Sequence, residues 1–230
     1  MKYDIAIYGH LTVDHIFRDC NQSVTLGAMA NVWDTLVGLD CNLSVKLNPS
    51  AIGEAIVVAN TRKHFRVGRG NLNLQTSRID VVDAKWHHIM YLNQLKDTRF
   101  INSIADGTVS VDVTAGNMCA GSSIIEDHLD KIDYFFISDE DLYMDIDELG
   151  RAVKGWAILH YPQGSYATNG KEHIEHKTQV IGGIDVLGAG DIFAACFMSR
   201  SLTEGEPIDK VIDYAHLNTK QILINKSEDY

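Results

Sequence analysis

The chain has 230 residues, 45% of them hydrophobic, and a formal net charge of −11. That is enough for one sizeable α/β domain with its own core, and the acidic balance excludes the basic stripe that a nucleic-acid partner requires. No apolar run approaches the roughly 20 residues of a membrane-crossing helix, which excludes a membrane partner of that kind.

In chain order, Ile5-Ala6-Ile7-Tyr8-Gly9 reads as a short buried strand that stops at a glycine. Leu26 to Leu39 carries Trp33, Leu36 and Val37 on one side and predicts a helix, and Leu43 to Leu47 predicts a second strand. Ala55–Val58 and His64–Val67 predict a hairpin around Asn60-Thr61-Arg62. Four short apolar strands follow, at His88–Leu92, Val109–Val113, Tyr134–Ile137 and Trp156–Leu159. Helical stretches separate them, including Gly121 to Leu129 and Glu140 to Val153, and Ile208 to Ile224 has helical spacing of its apolar residues. This alternation predicts βα units feeding a largely parallel sheet. Pro49, Pro162 and Pro207 sit at predicted loops and no low-complexity linker intervenes, so one domain over residues 1–230 is expected.

The ten histidines predict no metal centre. His87 and His88 are adjacent in a strand and so point to opposite faces, and His173 and His176 do the same in a short strand of their own. Cys20, Cys41, Cys119 and Cys196 are widely spaced without a Cys-x-x-Cys and read as reduced thiols. With a strand pattern at the N-terminus and no signal-peptide pattern, a cytoplasmic protein is expected. The acidic run Asp139, Glu140, Asp141, Asp145, Asp147, Glu148 reads first as a solvated helix face.

The chemistry is concentrated in Asp185-Val186-Leu187-Gly188-Ala189-Gly190-Asp191-Ile192-Phe193, which leads into the apolar run Ile192 to Met198. Two glycines permit a sharp turn and close approach of a ligand. The helix beginning there aims its unpaired N–H groups and positive dipole end at that turn, which favours an anion such as phosphate. A carboxylate at the mouth of an anion hole opposes simple phosphate binding. It suits a base that takes the proton from a hydroxyl attacking that phosphate. Other glycine motifs fit less well: Gly170-Lys171 is followed by Glu172, not by the Ser or Thr of a Walker A loop, and Phe193 stands where a Rossmann fingerprint has its third glycine. A methyltransferase turn would need several further βα units, and only about 40 residues remain.

This stretch resembles the Asp-Thr-Thr-Gly-Ala-Gly-Asp-x-Phe signature of the ribokinase-like (PfkB) carbohydrate and nucleoside kinases, matched at Asp185, Gly188, Ala189, Gly190, Asp191 and Phe193, with Val186 and Leu187 in place of the threonines. The resemblance implies a ribokinase-like α/β fold and magnesium-dependent transfer of the ATP γ-phosphate to a hydroxyl of a sugar or nucleoside. It makes Asp191 the base and Gly188, Ala189 and Gly190 the anion hole. Gly9-His10-Leu11-Thr12-Val13-Asp14 is similar to the family's first strand with its acceptor-binding aspartate, and Gly27-Ala28-Met29-Ala30-Asn31 to its Gly-Gly-x-x-x-Asn segment. Asp14, Gly27 and Asn31 are thereby implied as acceptor ligands. Ser138-Asp139-Glu140-Asp141 stands where the family has Asn-x-x-Glu, which implies an indirect Mg2+ role for Asp141. His160-Tyr161-Pro162-Gln163-Gly164 stands at the phosphate turn Thr-x-Gly-x-x-Gly, with only Gly164 retained. The resemblance further implies a small β lid, reduced here and built from parts of 11–26 and 54–69, through which two copies can pair. A ribokinase-like small-molecule-binding protein with weak or lost kinase activity is the alternative.

Overall fold

The computed structural model describes residues 2–18, 21–39, 41–59, 64–69, 79–114, 125–180, 182 and 184–228. The turn expected at 60–62, the start of the helix expected from Gly121, Cys20 and Cys119 lie outside the described residues. Ten strands form one sheet: β1 (Tyr3–Arg18), β2 (Asn21–Leu26), β3 (Val45–Ala59), β4 (His64–Arg69), β5 (Ala84–Ile89), β6 (Thr108–Asp112), β7 (Tyr134–Ser138), β8 (Trp156–Tyr161), β9 (Gly164–Thr168) and β10 (His173–Lys177). Their spatial order is β10-β9-β8-β7-β6-β5-β1-β3-β4, with β2 pairing β1 off this path. The centre, from β3 through β1, β5, β6 and β7 to β8, is parallel, and antiparallel strands finish both edges. The expected α/β class with a mostly parallel sheet is therefore the observed one.

Strand periodicity sorts the core into two layers. Ile5, Ile7, Trp86, Phe136 and Ile158 face α1 (Ala28–Gly38), α3 (Ala189–Glu204) and α4 (Ile208–Glu228). Ala6, Tyr8, Ile89, Val111, Phe135 and Ile137 face the other way, onto α2 (Ile146–Ala152) and the short 3-10 turns Leu92–Gln94, Arg99–Ser103 and Leu129–Lys131. Helix α3 is buried along all of Asp191–Ser199, as a helix apolar on every side must be. It is bounded by glycines in the left-handed region, Gly188 (φ 82°) and Gly205 (φ 60°).

Four expectations are corrected. Strand β1 does not stop at Gly9: the pairing with β3 slips by one residue between Gly9 and His10, and the strand bends through this bulge and runs on to Arg18. Correspondingly, β3 is one strand of 15 residues, not two separate elements. The tails of β1 and β3 with β2 and β4 make a four-stranded extension built from the described residues of 11–26 and 54–69. The strand expected at 88–92 lies at 84–89, and the chain then leaves the sheet through Tyr91, a non-glycine residue in the left-handed region (φ 52°, ψ 54°). The helix expected from Glu140 starts at Ile146, because Asp145 caps it by accepting from the N–H groups of Asp147 and Glu148, both at 3.0 Å.

His87 and His88 point to opposite faces, as the strand period requires. His87 bonds the Tyr8 hydroxyl at 3.0 Å, while His88 Nδ1 meets Ser110 Oγ at 2.8 Å on the α3 side. His88 is fully buried, and burial pushes its imidazole from the ordinary 6.5 down to about 3. It stays neutral when folded and charges only when unfolded below pH 6.5, so its contribution to stability is complete above that pH and declines as pH falls towards 3. The expected slope is about 1.4 kcal/mol per pH unit. Urea unfolding at pH 7 and pH 5 is therefore expected to cost wild type about 2 kcal/mol more than it costs His88→Gln. Equal losses would show that His88 accepts its proton without unfolding.

Candidate active site

The turn before α3 is built by its own first residues. Asp185 Oδ1 accepts the N–H of Leu187 at 3.1 Å, and the Ala189 N–H turns back to the carbonyl of Val186 at 3.0 Å. Gly188 caps α3 in the left-handed region, where a Cβ would stand 2.7 Å from Asn31 Nδ2. The first helical bond runs from the Ile192 N–H to the Gly188 carbonyl, 3.0 Å. The amides directed outward by helix geometry are thus those of Gly190 and Asp191. Ala189 lies in the turn, but its amide is committed to Val186.

Asp191 is buried at this helix start, 5% exposed. Its Oδ2 accepts from Asn31 Nδ2 at 2.9 Å, and the Tyr91 hydroxyl reaches Oδ1 at 3.5 Å. Asn31 stands on α1, one turn beyond its N-cap Gly27, whose carbonyl accepts the Asn31 N–H at 3.1 Å. Asp14 lies on β1 past the bulge, buried, with Oδ1 lacking a hydrogen-bond partner among the described residues. A Cβ on Gly27 would fall 2.9 and 3.1 Å from the Asp14 carboxylate oxygens. Asp14, Gly27, Asn31, Gly188 and Asp191 therefore form one continuous line of contacts from the strand extension to the turn before α3, with Asn31 as the link.

Sequence reasoning missed three residues that line the same place. Asp112 ends β6 on the face of Ser110, pointing to α3, and is buried. Burial, then the negative charges of Asp191 and Asp141, hold its carboxyl well above the ordinary aspartate range. The signal was present: a charged residue closes the apolar alternation Val109–Val113 at the carboxyl end of a parallel strand, where open α/β sheets bind ligands. Tyr91 gave no local signal. His160 stands against the turn, 3.1 Å (Cε1) and 3.3 Å (Nε2) from where a Cβ on Gly190 would be, and burial lowers its imidazole to about 4. Asp141 accepts from Ser138 Oγ at 2.5 Å just past β7. A cavity of about 790 Å³ lies elsewhere, at the amino ends of β5 and β6 around Val82, His87, Phe100 and Asp106, and it shares none of these residues.

Close packing at Gly27 gives a test of this geometry. A Cβ there would lie 1.9 Å from Thr12 Oγ1. Overpacking of this kind costs about 1–3 kcal/mol, so Gly27→Ala is expected to lower the melting temperature. The double variant Gly27→Ala/Thr12→Ala is expected to recover most of that loss. No recovery would place the strain elsewhere.

No family model matches the chain, and neither does any curated protein. Solved structures do. A nucleoside kinase of the ribokinase family from Methanocaldococcus jannaschii has a TM-score of 0.71 at 15% identity, over 97% of this chain and 93% of that one. A pyrophosphate-dependent kinase of the ribokinase family, solved with a pyrophosphate analogue and myo-inositol, gives 0.66 at 14%, over 95% and 94%. An E. coli protein assigned as a ribokinase II, solved with ATP and Mg2+, gives 0.67 at 14%, over 93% and 90%. The likeness carried by a nine-residue turn thus extends along nearly the whole chain, and the protein has the ribokinase-like fold.

Proposed function

We propose that the protein is a phosphotransferase that moves a phosphoryl group from a phosphoanhydride donor to a hydroxyl of a sugar or nucleoside. The observation that carries this reading is the buried Asp191 carboxylate set beside the two outward amides of the α3 N-terminus. Asp191 takes the proton of the acceptor hydroxyl, whose oxygen attacks phosphorus, and the amides of Gly190 and Asp191 stabilise charge on the transferred group. Asn31 holds Asp191 in register from one side. Asp14 fixes acceptor hydroxyls, for which a buried carboxylate oxygen is available. Sugar and nucleoside are both consistent with such a grip.

ATP is the donor that the sequence resemblance implies, and similar structures were solved with ATP in one case and a pyrophosphate analogue in another. Asp112 and Asp141 suit an indirect hold on Mg2+. A cation of this kind keeps most of its waters and takes one or two carboxylates besides phosphates. When bound, it neutralises donor charge.

The strand extension serves as the lid of a single domain. Its outer face carries Phe17, Val24, Leu26, Ile52, Ile56 and Val58, all exposed, which supports pairing of two copies through it. A binding protein without turnover is the second reading, favoured by the mutual Ser138–Asp141 bond.

A positioned base is worth about 10²–10⁴ in rate. Asp191→Asn is accordingly expected to keep the fold and donor affinity while losing at least about a hundredfold in kcat. A variant that retained more than about a tenth of wild-type kcat would remove Asp191 from the base role.

A further inference from the structure

The two oxygens of the Asp191 carboxylate are held unequally. Asn31 Nδ2 donates to Oδ2 at 2.9 Å, an ordinary length, whereas the Tyr91 hydroxyl reaches Oδ1 at 3.5 Å, the outer limit for a hydroxyl donor. A hydroxyl that gives its proton to Asp191 has to approach one of these oxygens to about 2.6–3.2 Å. The looser of the two contacts is the one that yields, so Oδ1 is the oxygen that receives the proton. The Tyr91 hydroxyl stands where that incoming hydroxyl goes.

The fold holds it there. Strand β5 ends at Ile89, and the Met90 N–H still bonds the Tyr8 carbonyl at 2.8 Å. At Tyr91 the chain turns out of the sheet into Leu92–Gln94, where the Gln94 N–H closes on the Tyr91 carbonyl at 2.8 Å. The Tyr91 ring is partly buried and packs on the apolar layer that α1 and α3 share with the sheet. Two non-glycine residues among the described ones have a left-handed φ, Asn42 at 51° and Tyr91 at 52°. Asparagine takes that conformation readily and tyrosine does not. Strain of this kind persists where the surroundings fix it, and it concentrates at functional sites.

Water is the rival of any acceptor hydroxyl at such a base: it carries the same O–H, it is smaller, and it is always present. On the kinase reading above, we propose that Tyr91 is a positioning residue that denies water this place, its hydroxyl covering Oδ1 until an acceptor displaces it. Water admitted at Oδ1 would form its bond to the terminal phosphorus of the donor as the bridging P–O bond breaks. The electron pair would leave with the remaining phosphate group, and the proton would pass through Asp191 to the phosphate released. A water brings little more than one bond to Oδ1, against a phenol whose ring is already ordered by packing. An acceptor gripped at Asp14 brings further bonds and wins.

The test uses the full-length chain with Mg2+ and, separately, ATP and pyrophosphate as donors. Phosphorus NMR follows orthophosphate release without acceptor, and phosphorylation of ribose, fructose, myo-inositol and adenosine. Tyr91→Phe keeps the packed ring and leaves a gap of one oxygen, which a water bonded to Oδ1 fills. Its ratio of acceptor-free release to acceptor phosphorylation is expected to rise at least about tenfold over wild type, the size of one hydrogen bond to a charged group. The double variant Tyr91→Phe/Asp191→Asn is expected to lose the added release, because the admitted water needs the base. An unchanged ratio, with release and phosphorylation falling together or not at all, would make Tyr91 merely structural, which overturns the proposal and leaves the kinase standing. Phosphate found on Tyr91 of wild type given donor alone would do the same, since the hydroxyl would then be a nucleophile and not a guard. Phosphorylation of no acceptor, with no release that depends on Asp191, would overturn both.

Discussion

Carboxylates do not share a buried space without help, and the site of this protein is organised around that constraint. Asp112 and Asp191 are both buried where β6 ends and α3 begins, and Asp141 adds its charge from the end of β7. Two groups of like charge in such a place cannot both ionise freely, and burial adds to the cost. The fold supplies two compensations. The α3 N-terminus points its free amides and positive dipole end at the cluster, and Asn31 and Tyr91 direct their polar groups to the Asp191 carboxylate. What remains uncompensated falls on Asp112, whose proton is held against ionisation.

The parallel centre of the sheet makes this crowding unavoidable. Parallel strands end together, so Asp112, Ser138 and the His160 side chain emerge on one rim. Helix α3, buried on all sides between the sheet, α1 and α4, has no freedom to draw Asp191 away. The Gly9–His10 bulge lets β1 continue beyond the rim and bring Asp14 over it. Asn31 then touches both halves: its amide bonds Asp191, and its helix begins at Gly27 against Asp14. Asp14 and Asp191 are thus joined through the single side chain of Asn31 and its helix start.

Much of this was legible in the residues, and the exceptions have physical causes. The Gly188–Asp191 turn was readable because glycine, carboxylate and apolar run are contiguous, so local chemistry alone marks a helix N-terminus beside a carboxylate as the candidate site. Asp14 and Asn31 were reached by resemblance, and the contacts that join them are 160 residues apart in the case of Asn31 and Asp191. Gly9 looked like a strand terminator because a glycine ends a strand and bulges one with the same local sequence. The start of α2 was misplaced because the acidic run 139–148 supports helix propensity throughout, while the actual boundary is decided by which aspartate caps, Asp145. The place of Tyr91 depends on tertiary packing that no window of the sequence contains.

The central claim is that Asp112 and Asp191 share one desolvated anion site. Carbon-13 NMR titration of the aspartate carboxyls, in wild type and Asp191→Asn, tests it most directly. The account predicts that Asp112 titrates well above the ordinary aspartate range in wild type and moves down once the Asp191 charge is removed. An Asp112 that titrates normally, or that ignores the loss of Asp191, would contradict it.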